Sequence, residues 1–254
     1  MTERPAGDGV RAVLLDIEGT TTPIAFVHDV LFPYARARLR TWVDDPANAA
    51  DLARVSKRLS AEHAADLSRG EGPPSWASSF SSVDDDADRS GLVAYAEWLM
   101  DRDRKSPGLK LMQGLIWERG YQAGTLRGQV YPDVAPALRR WHARGLRIAI
   151  YSSGSALTQR RLFESTADGD LTALISAHFD TAVGAKGSSD SYTRIAAALE
   201  LAPGDILFVS DVTAELEAAR AAGLRVVLCV RPDNPPQPGA EAFDQVSDFG
   251  RLFT

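Results

Sequence analysis

The chain reads as an α/β protein, with a parallel-sheet core and a helical insertion after the first strand. Two observations predict this. Short apolar runs at 13–15 (VLL), 146–151 (LRIAIY), 206–210 (ILFVS) and 225–230 (RVVLCV) each end at Asp, Ser or Arg-Pro. In the second half of the chain they alternate with helical patterns, the arrangement of parallel right-handed crossover units whose strands are buried on both faces. Between the first run and about residue 125, by contrast, only helical spacing is found. The core is therefore expected over 10–22 and 126–254, and a helical cap over 23–125.

In order, 12–23 (AVLLDIEGTTTP) is a buried strand that stops abruptly at Asp16. Pro33 interrupts the helical spacing of 26–43, which predicts a loop or short turn and then a helix starting near the proline. Residues 48–68 carry Leu52, Val55 and Leu59 on one stripe of a helix. Residues 69–90 are rich in Ser, Gly, Pro and Asp; the run Asp84-Asp85-Asp86 is read as a solvated loop or helix start, because consecutive side chains diverge. Helices follow at 91–102 and 108–121.

The next helix, 134–144, has Asp133 as its expected N-cap. Strand 146–151 leads into Ser152-Ser153-Gly154-Ser155 and a helix over 156–164. A short strand at 179–184 (FDTAVG) closes on Lys186, and 192–201 is helical. Strand 206–210 ends at Asp211, and helix 212–222 has Gly223 as its C-cap. After strand 225–230, the Pro-rich 231–239 (RPDNPPQPG) reads as a stiff surface connection.

Composition narrows the function classes. The 254 residues are 44% hydrophobic and 24% charged, ordinary for a soluble globular chain. A net charge of −6 argues against a nucleic-acid or anionic-membrane partner, since there is no net positive field. Cys229 is the single cysteine, so no internal disulfide is expected, and its apolar run predicts a buried, inert thiol. The polar start MTERPAGDG lacks an apolar signal core, and no apolar run approaches the ~18 residues that cross a bilayer. A cytoplasmic monomer is expected.

Four strand ends carry polar residues of complementary kinds. Asp16 and Glu18 follow the first strand, and alternate residues of an extended chain face the same way. Two carboxylates there would repel, so a divalent cation suits them, and an Asp can also attack phosphorus. Ser152 and Ser153 offer hydroxyls and backbone N–H groups to a phosphate at a helix start. Lys186 offers a point charge to a phosphoryl oxygen, and Asp211 with Glu215 adds two more acids. Each also has a structural reading: Ser152, Ser155, Thr20, Thr22 or Asp211 as helix caps, Lys186 at the surface, Glu215 facing solvent.

In order and position the set resembles the four motifs of the haloacid-dehalogenase-like (HAD) phosphohydrolase superfamily. The resemblance implies a HAD-like Rossmannoid core, with Asp16 as nucleophile and Glu18 as the second acid. Most of the superfamily has Asp where Glu18 stands. DIEGTTTPI, DVLFPYA, LMQGLIWERGY, VYPDV, IYSSGS, VGAKGSSDSY and FVSDVTAELEAARAAG together resemble its enolase-phosphatase (acireductone synthase) branch, over roughly Val13 to Arg231. That branch implies Mg²⁺, held by Asp16, Asp211 and the carbonyl or side chain of Glu18, with Glu215 as a supporting acid. Ser152, Ser153 and Lys186 would bind the phosphoryl group of 2,3-diketo-5-methylthiopentyl-1-phosphate, the small phosphorylated diketone of methionine salvage. Two other readings compete. One is a HAD phosphatase acting on another small phosphorylated metabolite; the other is a phosphometabolite sensor without turnover.

Overall fold

The computed structural model describes residues 9–76 and 86–253. The run AVLL is β1 (Ala12–Leu15), with no solvent exposure at any of its four residues. A π-helical stretch, Phe26–Leu31, then runs into α1 (Phe32–Arg36) and α2 (Leu39–Asp44). The loop expected before Pro33 is thus helical, and Pro33 sits within the first turn of α1. Because helical backbone continues from Phe26 through Arg36, Pro33 removes one backbone donor from that run, and the π-type stretch just before it is the kind of irregularity that goes with such a gap. Next come α3 (Ala49–Ser68), α4 (Asp86–Asp101) and α5 (Pro107–Gln122). Asp86 opens α4 and pairs with Arg40, while Asp84 and Asp85 lie outside the described residues.

From α6 (Val134–Ala143) onward, strands and helices alternate. They run β2 (Arg147–Tyr151), α7 (Ala156–Glu164), β3 (Ala177–Phe179), α8 (Ser189–Ala198), β4 (Ile206–Ser210), α9 (Thr213–Ala221), β5 (Arg225–Cys229) and β6 (Gln245–Val246). Two compact units result: the described residues up to Val27 with those from Tyr121, and His28–Gly120.

The first unit holds a six-stranded, all-parallel sheet in the order β3-β2-β1-β4-β5-β6. Ala12 and Leu14 of β1, Tyr151 of β2 and Phe208 of β4 share one apolar layer with Tyr192 and Ile195 of α8 and Leu216 and Ala219 of α9. Val13, Leu15, Ile148 and Ile150 alternate with these, point the other way, and are equally buried. Burial on both faces is what the continuous apolar runs demand. The strand order reverses at β1, so the ends of β1, β2 and β4 open at the switch point where such sheets bind ligands.

Two local expectations fail for identifiable reasons. Asp133 does not cap α6; both its oxygens accept from Arg231 Nη1, at 3.0 and 2.9 Å, and Oδ2 also accepts from Phe249 N at 2.7 Å. A guanidinium is the stronger partner for an ionised carboxylate. The strand expected at 179–184 ends at Phe179 instead. Asp180 folds the chain there, with Oδ1 accepting from Ala182 N at 2.8 Å in an Asx-type turn. Cys229 is buried, and burial pushes its thiol up to about 12.

The second unit packs α2–α5 around Trp42, Leu59, Tyr95, Leu99 and Met112. Within it Asp66, 1% exposed, accepts from the Tyr95 hydroxyl at 2.7 Å, from Arg104 at 2.8 Å, and from Arg69. No described helix is long and apolar enough to cross a membrane.

Candidate active site

The chain leaves β1 in a tight turn closed on one carbonyl. The N–H groups of Thr20, Thr21 and Thr22 all donate to Ile17 O, at 3.2, 2.9 and 2.8 Å, and the Thr21 hydroxyl donates to Asp16 O at 3.1 Å. Neither Thr20 nor Thr22 caps a helix; their hydroxyls are buried without a protein partner. The turn holds Asp16 in the interior, 4% exposed, with Ile17 N donating to its Oδ1 at 2.7 Å. Glu18 is exposed, because the extended spacing that would align it with Asp16 stops at Leu15.

Lys186 is not a surface lysine. Its Nζ donates to Asp16 Oδ1 at 2.6 Å and pairs with Glu215 Oε2 at 2.7 Å. Burial acts to lower the ammonium, but the two carboxylates outweigh it and leave the Lys186 pKa raised. Its backbone is held by neighbours: Tyr192 Oη donates to Lys186 O at 2.7 Å and Tyr151 Oη to Gly184 O at 2.9 Å. At Gly184, φ is +141° and a Cβ would fall 2.2 Å from Ser191 Oγ, so glycine is required. Glu215 faces inward, accepting from Ser210 Oγ at 3.0 Å. Burial and the Asp16 carboxylate raise its pKa, opposed by Lys186.

Asp211 closes the group. It is 6% exposed, and Asn234 Nδ2 donates to its Oδ2 at 3.3 Å, while Oδ1 is buried without a protein partner. Burial pushes Asp211 up to about 7, and the Asp16 and Glu215 carboxylates push the same way. Gly19, at φ +70°, approaches so closely that a Cβ would lie 2.2 Å from Asp211 Oδ2.

Ser152 and Ser153 follow β2, but neither caps α7. Ser155 does so, its Oγ accepting from Thr158 N at 3.2 Å, and Asp180 Oδ2 takes Ala156 N at 3.0 Å. The helix-start donors expected for a phosphate are thus partly used by Asp180. Gly154 N donates to Ser152 Oγ at 3.4 Å, so the Ser152 and Ser153 hydroxyls and the Ser153 N–H are what the segment can offer a ligand. Gln159, buried in α7, fixes that segment by donating to Gly154 O at 2.8 Å and Phe179 O at 2.7 Å. Sequence reasoning did not reach Gln159, Asp180, Arg231 or Asn234. Asp180, in an Asp-Thr pair after an apolar run, was the legible one, as a turn former.

The donor set suits a hard cation. Asp16 and Asp211 bring carboxylate oxygens, and an orphaned buried acceptor such as Asp211 Oδ1 is what such an ion satisfies. Among the described residues no three side chains of His, Cys, Asp and Glu form a metal-ligating cluster. Residue 18 can bring a third oxygen to such an ion through its carbonyl or its side chain, the two alternatives that the resemblance implies.

Residues 10–223 match the model of the haloacid dehalogenase-like hydrolases. The chain is 47% identical over 234 residues to enolase-phosphatase E1 of Synechococcus elongatus, covering 91% of this chain and 92% of the relative. It is 41% identical over 251 residues to enolase-phosphatase E1 of Drosophila grimshawi, covering 96% and 97%. The crystal structure of the UTR4 protein of Saccharomyces cerevisiae is similar at a TM-score of 0.72 and 31% identity, covering 96% of this chain and all of that one. With its Asp16 turn, buried lysine and acid pair on that fold, the chain belongs to the haloacid dehalogenase-like hydrolases and, among them, to the enolase-phosphatase E1 family.

Proposed function

We propose that the chain is a Mg²⁺-dependent enolase-phosphatase. It converts 2,3-diketo-5-methylthiopentyl-1-phosphate into the acireductone 1,2-dihydroxy-3-keto-5-methylthiopentene and phosphate, within methionine salvage. The observation that carries the reading is Asp16, a buried carboxylate at the end of the central strand, locked by Lys186 Nζ at 2.6 Å.

A carboxylate so fixed can attack phosphorus. An Asp16 oxygen forms the new P–O bond as the bond to the substrate oxygen breaks, and Glu18 gives that leaving oxygen a proton. Glu18 then takes a proton from water, whose oxygen attacks the aspartyl phosphate. The P–O bond to Asp16 breaks, phosphate leaves, and the carboxylate is restored. Lys186 neutralises charge on the transferring group, while the Ser152 and Ser153 hydroxyls hold its oxygens. Asp16, Asp211 and the main-chain carbonyl of Glu18 would hold Mg²⁺, which supplies further charge neutralisation when bound. The reading keeps the cytoplasmic, monomeric enzyme expected from the sequence.

Turnover of the diketone phosphate beside p-nitrophenyl phosphate and glycerol phosphate tests the substrate. The diketone phosphate should exceed both in kcat/KM by orders of magnitude, with enol absorbance and free phosphate produced. Comparable values for all three would replace this reading with a general small-metabolite phosphatase.

A further inference from the structure

The Pro-rich segment 231–239 is more than a surface connection. Arg231 at its base is 3% exposed and donates from Nε and Nη2 to Thr20 O, at 3.1 and 2.9 Å. Its Nη1 also donates to Asp133 and, at 3.0 Å, to Ser247 O. Three residues on, Asn234 N donates to Arg231 O at 3.1 Å, and Pro235 and Pro236 follow with their fixed φ. Asn234 is thereby presented to the nucleophile turn. Its Nδ2 donates to Gly19 O at 2.8 Å and to Asp211 Oδ2 at 3.3 Å.

We propose that Asn234 is a positioning residue of the active site. It orients the Asp211 carboxylate against the nucleophile turn and so sets the affinity for the divalent cation; this rests on the reading of Asp211 as a cation ligand. Three features support it. One amide nitrogen spans both groups, using the two hydrogens an Asn side chain has to give. It engages one Asp211 oxygen and leaves the other, Oδ1, buried and unpartnered, so the carboxylate is turned with a free acceptor. And it is neutral: a Lys or Arg there would also orient Asp211, but would bring a positive charge that repels a cation. Groups that orient metal ligands in this way usually alter affinity by about 10- to 100-fold when removed. Asn234 lies beyond residues 10–223, the span matched by the family model.

The test is direct Mn²⁺ binding to the full chain without substrate, followed by electron paramagnetic resonance, for wild type, Asn234→Ala and Asp211→Asn. Asn234→Ala should weaken Mn²⁺ binding about 10- to 100-fold. Its melting temperature should stay within a few degrees of wild type, and its KM for substrate at saturating cation should be near wild type. If Asn234→Ala binds Mn²⁺ like wild type while Asp211→Asn does not, the positioning role is wrong and the cation reading stands. If neither variant changes binding, Asp211 is not a cation ligand and both ideas fall. Should Asn234→Ala not fold, Asn234→Ser is measured against the same criteria.

Discussion

Each unit contains a buried aspartate, and the two are opposites. Asp66, inside the helical unit, is 1% exposed and receives the Tyr95 hydroxyl and the Arg69 and Arg104 guanidiniums. Burial alone would raise its pKa, but those three donors outweigh it and leave it lowered. Asp211, at the end of β4, is 6% exposed; its Oδ2 receives one neutral amide and its Oδ1 nothing from the protein. It is pushed up to about 7 by burial and by two neighbouring carboxylates. Residue type and burial are alike, and the sign of the shift separates them. A fold that only needs a buried charge surrounds it with donors. A site that must bind something leaves the charge under-satisfied.

The largest effect should come from the residue on which both the lysine and the chemistry converge. Asp16→Asn should lower phosphate release by about 10⁴-fold or more, as nucleophile removal does in other enzymes. The fold should persist, because the β1 packing is untouched. A stopped assay for inorganic phosphate at saturating Mg²⁺, with a thermal melt alongside, checks both halves. Wild-type-like release would remove Asp16 from the nucleophile role.

The contrast between the aspartates can be broken by one substitution in each. Asp66→Asn should lower unfolding free energy by about 3 kcal/mol, since a buried hydroxyl and two guanidiniums lose their anion; Arg69 and Arg104 reach solvent, which keeps the loss at the low end. Asp211→Asn should cost little stability or add some, because it deletes a buried charge to which no cation among the described residues is hydrogen-bonded and which burial and two carboxylates destabilise against the opposing charge of Lys186. Urea unfolding of both variants without added metal is the measurement. Equal losses would mean that under-satisfaction is no guide to function here.

Much of this was legible from the chain itself. The runs LRIAIY, ILFVS and RVVLCV are strands because both faces of a parallel sheet are covered, which leaves a continuous apolar signal. The strand ends then bring together Asp16, Lys186, Asp211 and Glu215, since parallel strands all deliver their C-terminal residues to one edge. What stayed hidden depended on partners far away in sequence. Asp133 was spent on Arg231, 98 residues later, rather than on its own helix. The two-residue β6 is too short to carry a pattern. Asn234 sits in a Pro-rich stretch whose composition suggests only a connection, and nothing local marks its reach to Gly19, 215 residues earlier. The π-helical path before Pro33 escaped for a different reason: a proline inside an otherwise helical pattern reads as a break, whereas here the helical backbone runs through it.

The smallest expected effect tests whether under-satisfaction alone suffices to mark a site. His178, in β3 at the sheet edge, has a buried Nδ1 without a protein partner, and burial, with Arg160 adding to it, lowers its pKa to about 4. It therefore has the same signature as Asp211, but where Asp16, Glu215 and Lys186 all act on Asp211, Arg160 is the one charged neighbour among the described residues that shifts His178. Its expected consequence is on stability alone. A folded-state pKa below the unfolded value of about 6.5 means that the unfolded chain binds more protons between those limits. The neutral His178 thus contributes stability that is present above about pH 6.5 and lost as the pH falls toward 4. Its size should be about 1–3 kcal/mol, the lower part of that range reflecting partial access to water. Urea unfolding at about pH 7.5 and pH 5, for wild type and His178→Leu, isolates it, because the difference between the two slopes belongs to this imidazole. The variant should lose less stability at the lower pH and keep wild-type phosphate release. Unchanged pH dependence would mean that His178 is not held neutral by burial. A loss of turnover with normal stability would instead move it to the side of Asp211.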